Sequence, residues 1–271
     1  MHFSERKDMA KGKTSSNRTV AVANRKGGCC KTTTVGALAS GLTQQGFKVL
    51  AVDMDPQGNL TDWAGFDTED KDTVYEVIMQ RSPVNETIVH LDRYDLLPAD
   101  AALANVEAEL ANVQGREYRL REALDPIASE YDFIVVDTPP NLGLLTIQSF
   151  AAAADGVVVT TDAGSFATKG MRDLAESLSM TRKYINPNAR VIGILLTKFN
   201  PRWNTMKTMK EVTEKFSEYF DAPLYQTFIR QSVGVMTAQL ESIDIYDMDK
   251  SIGAVSDYQS FVKEFINNIT K

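Results

Sequence analysis

Apolar residues in this chain gather into short unbroken runs rather than alternating with polar ones. Residues 19–24 (TVAVAN), 48–53 (KVLAVD), 133–137 (FIVVD), 156–161 (GVVVTT) and 190–197 (RVIGILLT) are rich in Val, Ile and Leu and are bounded by turn residues. That pattern predicts strands buried on both faces. Residues 95–99 (DLLPA) form a weaker run, and 224–229 (LYQTFI) is the last candidate. Between the runs lie helix-period segments. Residues 32–45 carry Leu38 and Leu42 four apart and close at Gly46. Residues 116–130, 141–154, 169–184 and 205–220 also predict helices. In 255–269, Val255, Tyr258, Phe261, Val262, Phe265, Ile266 and Ile269 are spaced for one apolar face. Strands alternating with helices define an α/β chain: a mostly parallel twisted sheet of about seven or eight strands with helices on both faces. Residues 1–18 are polar, basic and aperiodic and predict a disordered arm, leaving 19–271 as a single domain.

Composition narrows the chemistry. Cys29 and Cys30 are the 2 cysteines, and His2 and His90 the 2 histidines, among 271 residues. Adjacent cysteines rarely bridge each other, so a disulfide framework, a Cys-ligated zinc site and a four-cysteine iron–sulfur cluster within one chain are excluded. A Ser-His-Asp triad or a His-based metal centre has little to draw on. No apolar run approaches the roughly 20 residues that span a bilayer, and residues 1–18 have no apolar signal core. The expected compartment is the cytoplasm.

The net charge of −7 is unevenly spread. Residues 1–31 hold eight Lys/Arg against two Asp/Glu, 32–159 hold seven against 21, and 160–271 hold 14 against 13. An acidic middle argues against nucleic acid covering the whole surface, and leaves a basic face to the N-terminal arm or the last third. The bland alternative is solvated surface with no partner.

The chemistry-bearing segment lies between the first strand and the first helix: Arg25-Lys26-Gly27-Gly28-Cys29-Cys30-Lys31-Thr32-Thr33. A strand, a glycine-rich turn and a helix start place backbone N–H groups and a positive helix end around one point, which suits a phosphate. Lys31 would reach the terminal phosphates, and the Thr32 hydroxyl would ligate Mg²⁺. The strict phosphate-loop pattern fails twice, because Arg25 and Cys30 occupy its two glycine positions. A plain glycine turn with no ligand is the competing interpretation. Asp53, Asp55 and Asp137 at or just past the ends of apolar strands speak against it, since ligands bind at that edge of a parallel sheet.

Lys26-Gly27-Gly28 with Lys31-Thr32-Thr33 resembles the deviant Walker A motif of the ParA/MinD superfamily of ATPases. Val52-Asp53-Met54-Asp55-Pro56-Gln57-Gly58-Asn59 and Val136-Asp137-Thr138-Pro139-Pro140 are similar to the ParA branch, as are Leu196-Thr197-Lys198-Phe199-Asn200, Ile229-Arg230 and Tyr246-Asp247. The resemblance spans about residues 18–269. It implies a P-loop ATPase that uses ATP and Mg²⁺, forms an ATP-dependent homodimer, binds DNA without sequence preference at the nucleoid, and partitions a plasmid or chromosome with a ParB-like adaptor. It implies that Lys26, Gly27, Gly28, Cys29, Cys30, Lys31, Thr32 and Thr33 hold the nucleotide. Lys26 would reach the partner's ATP, Lys31 would neutralise the β/γ phosphates, and Asp55 would orient the attacking water. Thr32, Asp53 and Asp137 would serve the metal. Asn200 and the backbone after Phe228, with Arg230, resemble the adenine edge.

Two departures stand out. Cys30 replaces a glycine of the family pattern, where a Cβ crowds the phosphate and a positive φ is costly. Three interpretations follow: slow hydrolysis, nucleotide binding without turnover, or a thiol of depressed pKa acting as a redox gate. Gly234 stands where relatives carry a basic residue, four positions after Arg230. Lys198, Arg202, Lys207, Lys210, Lys215 and Arg230 remain as DNA candidates, with a helix face balanced by Glu211, Glu214 and Glu218 as the bland alternative. A nucleotide-switch scaffold with weak or no hydrolysis, and a MinD-like membrane-cycling regulator, are the competing functions. The C-terminal SFVKEFINNITK has few cations for the latter.

Overall fold

The apolar runs assemble side by side into one eight-stranded sheet of order β3-β4-β2-β5-β1-β6-β7-β8. A computed structural model describes residues 17–162, 169–199, 214, 217–249 and 251–270. The strands are β1 (Arg18–Ala23), β2 (Val49–Asp53), β3 (Val89–His90), β4 (Asp95–Leu97), β5 (Phe133–Asp137), β6 (Gly156–Asp162), β7 (Val191–Phe199) and β8 (Leu224–Arg230). All pair in parallel except β3, a two-residue edge strand antiparallel to β4. Every residue of β2 and of β5 is buried, as unbroken apolar runs require when helices cover both faces.

Alternate residues of each strand feed two cores. Ala21, Leu50, Val52, Ile134, Val136 and Val159 face one side, where Phe150, Leu174 and Leu178 cover them. Val20, Val22, Ala51, Val135 and Val158 face the other. That side is closed by the first helix (Lys31–Gln44) and the C-terminal helix (Gly253–Ile269). Tyr258, Phe261 and Phe265 of the C-terminal helix are fully buried, so its apolar stripe is spent on the sheet. Each such side chain contributes roughly 1.5–3 kcal/mol by leaving water. The glycines of the first helix make close packing possible: a Cβ on Gly36 would stand 2.4 Å from Trp63 Cζ3.

Several expectations shift. β1 opens at Arg18, one residue inside the expected arm, where Arg18 pairs with Asp155 at 3.0 Å. Residues 1–16 lie outside the described residues, as does most of the expected helix 205–220. The expected helix 116–130 is a 3₁₀ turn, a short helix (Arg119–Leu124) and a second 3₁₀ turn. Pro126 has no N–H to donate, so the helical hydrogen bonding stops there although Asp125 before it still holds helical backbone (φ −51°, ψ −44°). Residues 141–154 yield the helix Leu144–Ala152. Short helices at Asn59–Trp63, Val74–Ile78 and Val233–Leu240 were not expected; the first two are too short to show a helical period. No helix among the described residues is long and apolar enough to cross a membrane.

Candidate functional site: a phosphate loop facing buried carboxylates

The C-terminal strand ends gather the chemistry. β1 stops at Ala23, and the loop from Asn24 to Cys30 carries the chain into the first helix. Asn24 fixes where the loop leaves the sheet. Its Nδ2 donates to the Thr160 carbonyl at 2.5 Å, and its Oδ1 accepts from the Lys26 N–H at 2.8 Å. Gly28 has φ +74° and Cys30 φ +59°. Cys30 thus occupies the left-handed conformation that its glycine-type position demands, at a cost of roughly 1–2 kcal/mol. The Cys30 thiol is pushed up by burial, with Lys198 and Thr197 pulling it back in part. A low-pKa redox gate therefore has no support here, because burial outweighs the nearby cation.

Lys31 begins the first helix and is buried. Opposite it stand the carboxylates. Asp53 and Asp137 are register partners on β2 and β5, and both are fully buried. Burial first, and then the Asp53 charge, push Asp137 up to about 8, while Thr32 and Lys31 pull it down. Among the described residues no donor meets full hydrogen-bond geometry at either Asp137 oxygen, although the Thr32 side chain is near enough to act on it. Burial also raises Asp53 to about 6 against the opposing pull of its hydrogen bonds. Asp53 Oδ1 accepts from the Asp55 N–H at 3.1 Å, and its Oδ2 accepts from the Thr61 N–H and hydroxyl at 3.0 and 2.9 Å. Asp53 therefore anchors the loop that presents Asp55 and the helix that follows it. Asp55 is buried and accepts from the Gln57 N–H at 3.1 Å.

A cavity of about 840 Å³ opens over the loop, lined by Gly28, Thr32, Asp55, Pro140, Lys198 and Met236 among others. Its apolar wall is the Val233–Leu240 helix, where Val233, Met236 and Leu240 are well exposed. This helix touches the phosphate loop's own helix through Gln239 Nε2, which donates to Thr33 Oγ1 at 3.0 Å.

The remaining predicted cations have definite places. Lys26 Nζ is 3.0 and 3.2 Å from the two oxygens of Asp162. Arg230 grips Asp257 with Nε at 2.8 Å and Nη2 at 2.7 Å, and Nη2 also reaches the Gly253 carbonyl at 2.9 Å. Its guanidinium fork is committed to the C-terminal helix. Lys198 is exposed and lines the cavity, with its Nζ beside Gly28. Gly234 is packed: a Cβ there would stand 2.8 Å from Ile252 Cδ1. Asn200, Arg202, Lys207, Lys210 and Lys215 lie outside the described residues. Asn24, Thr61, Asp162 and Gln239 were missed, because each acts through a residue remote in the sequence.

A parallel sheet with a strand–loop–helix phosphate cradle and acids on neighbouring strand ends defines the P-loop nucleoside triphosphatase class. Comparison with known proteins narrows it. An AAA domain family matches residues 17–191. The chain is 34% identical over 258 residues to the chromosome partitioning protein ParA of Myxococcus xanthus, covering 93% of this chain and 89% of that one. It is 33% identical over 254 residues to the sporulation initiation inhibitor protein Soj of Bacillus subtilis, covering 93% and 99%. It superposes with a TM-score of 0.80, at 30% identity, on cobyrinic acid a,c-diamide synthase of Mycobacterium smegmatis with bound ADP and magnesium, covering 93% and 95%. The chain belongs to the ParA-type family of the ParA/MinD superfamily of P-loop ATPases.

Proposed function

We propose that this chain is a DNA-partition ATPase that binds ATP with Mg²⁺, dimerises around it, holds DNA without sequence preference and releases it when a ParB-like adaptor stimulates hydrolysis. The observation that carries the reading is Asp137. A fully buried carboxylate whose oxygens find no well-formed hydrogen bond among the described residues is costly in its ionised form unless a cation satisfies it. The Thr32 hydroxyl acts on this carboxylate, so Thr32 and Asp137 together offer hard oxygen donors, as magnesium prefers. Thr32 and Asp137 would hold the metal, with Asp53 fixing the shell behind them. When bound, the ion neutralises charge on the terminal phosphates.

The chain's own residues supply the rest. Backbone N–H groups of the loop cradle phosphate oxygens. Lys31 neutralises the terminal phosphates from the helix start. Asp55, steadied by its hydrogen bonds with Asp53 and Gln57, would orient the attacking water. Lys26, half exposed beside Asp162, would exchange that carboxylate for the partner's nucleotide. A second cation at the transferring group is what phosphoryl transfer needs. ATP then acts as a ligand that shifts a monomer–dimer equilibrium, and hydrolysis resets it. The buried stripe of the C-terminal helix supports this reading over a MinD-like membrane cycle.

The test is DNA retention at rising salt with ATP and Mg²⁺, against ADP. The expected result is ATP-dependent, salt-sensitive retention; equal retention with ADP would overturn it. A second reading, a nucleotide-switch positioning scaffold with weak or no hydrolysis, is favoured by the strained Cys30. Single-turnover hydrolysis with and without DNA separates the two.

A further inference from the structure

Lys198 is the penultimate residue of β7, yet its φ is +54°. The β7–β8 register breaks at the same place: Leu196 pairs with Phe228, but Phe199 pairs with Arg230. Thr197 and Lys198 on one strand are set against Ile229 alone on the other, as in a β-bulge, which re-aims a side chain at the cost of local pairing. Here the side chain turns in toward the phosphate loop. Its Nζ lies 3.6 Å from the point where a Cβ on Gly28 would stand, and its charge acts on the Cys30 thiol.

The other cations around the loop have carboxylate partners: Arg25 with Asp173, Lys26 with Asp162 and Arg230 with Asp257. Lys198 and Lys31 have no such ion pair with a described residue. Two ammonium groups without a carboxylate partner among the described residues thus flank a loop whose backbone already favours an anion. They approach from different sides. Asp53, Asp55 and Asp137 mark the metal end, on the β2 and β5 side of β1. β7 lies beyond β6 on the opposite side.

We infer that Lys198 is a phosphate-positioning residue that holds the base-proximal phosphate of the nucleotide, and is not a DNA contact. This rests on the nucleotide-binding reading above. Holding both ends of the phosphate chain, with Lys31 at one and Lys198 at the other, fixes its orientation over Asp55. It also gives a cost to the bulge: a strained backbone persists only where its surroundings over-determine it.

The test is equilibrium binding of ADP and of ATP, by titration at constant salt, to the full chain and to Lys198→Met, with thermal unfolding in parallel. A charge-assisted contact of this kind makes both nucleotides weaker by about ten- to a hundredfold, and Lys198→Arg recovers most of the loss. Should Lys198→Met fail to fold, Lys198→Gly suits the backbone at that position and gives the same loss. Loss of ATP affinity alone, with ADP unchanged, overturns the assignment. So do unchanged affinities for both nucleotides with reduced DNA retention. If the unaltered chain binds neither nucleotide, the parent reading fails first and is seen to fail.

Discussion

In the single chain Lys26 is held by Asp162 across the mouth of the phosphate loop, its Nζ 3.0 Å from one carboxylate oxygen and 3.2 Å from the other. On the proposed reading, in which Lys26 reaches a partner's nucleotide, the lysine is stored on its own sheet until the dimer forms. Asp162→Asn weakens the storage without touching the loop. The expected outcome is a larger dimer fraction at a given ATP concentration, read by size-exclusion chromatography with light scattering. Lys26 is half exposed although Asp162 is largely covered, so the unfolding temperature should move by the equivalent of about 1 kcal/mol or less. An unchanged or smaller dimer fraction contradicts the latch.

The carboxylate pair predicts a pH dependence of definite sign. Asp53 and Asp137 have folded values near 6 and 8, above the unfolded value of about 3.9. The metal-free fold therefore holds these protons more tightly than the unfolded chain does. Their stabilising contribution is full below about pH 4 and is lost as pH rises through about 6 and then about 8. In EDTA, Asp137→Asn should gain a few degrees of unfolding temperature over the unaltered chain between pH 5 and 8.5. Magnesium with ATP should reverse the order. A difference that stays flat with pH contradicts the assignment.

Cys30 tests the price of a side chain at φ +59°. Cys30→Gly should stabilise the fold by about 1 kcal/mol, a rise of roughly 2–4 °C for a chain of this size. Cys30→Val should destabilise it, because β-branching is hardest to place in the left-handed region. Thermal unfolding of both variants without nucleotide is the measurement; equal temperatures would show that the loop relaxes around the residue.

Arg230 and Gly253 form one unit. A Cβ on Gly253 would stand 2.5 Å from the Arg230 Cζ, so Gly253→Ala must drive the guanidinium off Asp257. Overpacking of this kind costs roughly 1–3 kcal/mol. Arg230→Ala removes the clashing group, so the double variant should be more stable than the two single effects predict by addition. Additive behaviour in a double-mutant cycle would contradict the clamp.

Much of the fold was legible because its signals are local. An unbroken Val/Ile run with a polar residue at its end reads as a buried strand wherever it is packed, and FIVVD ends on Asp137 for that reason. The loop from Lys26 to Thr33 announces a phosphate seat through its glycines and the helix that follows. The helices of five residues were not legible, because a period of 3.6 cannot be read in little more than one turn. Asn59–Trp63 exists through what it touches: Asp53 receives its Thr61, and Gly36 makes room for its Trp63.

The sequence alone determined the order of the longer strands and helices along the chain, the glycine-rich loop and the acids at the strand ends, since each depends on a residue's immediate neighbours. The tertiary structure decided which charges meet. Lys26 and Asp162 are 136 residues apart, and sheet order alone brings β1 and β6 together. Lys198 reads from sequence as one more surface cation. A register shift between two strands turns it into the phosphate loop, because a bulge redirects a side chain by pairing geometry that no single segment encodes.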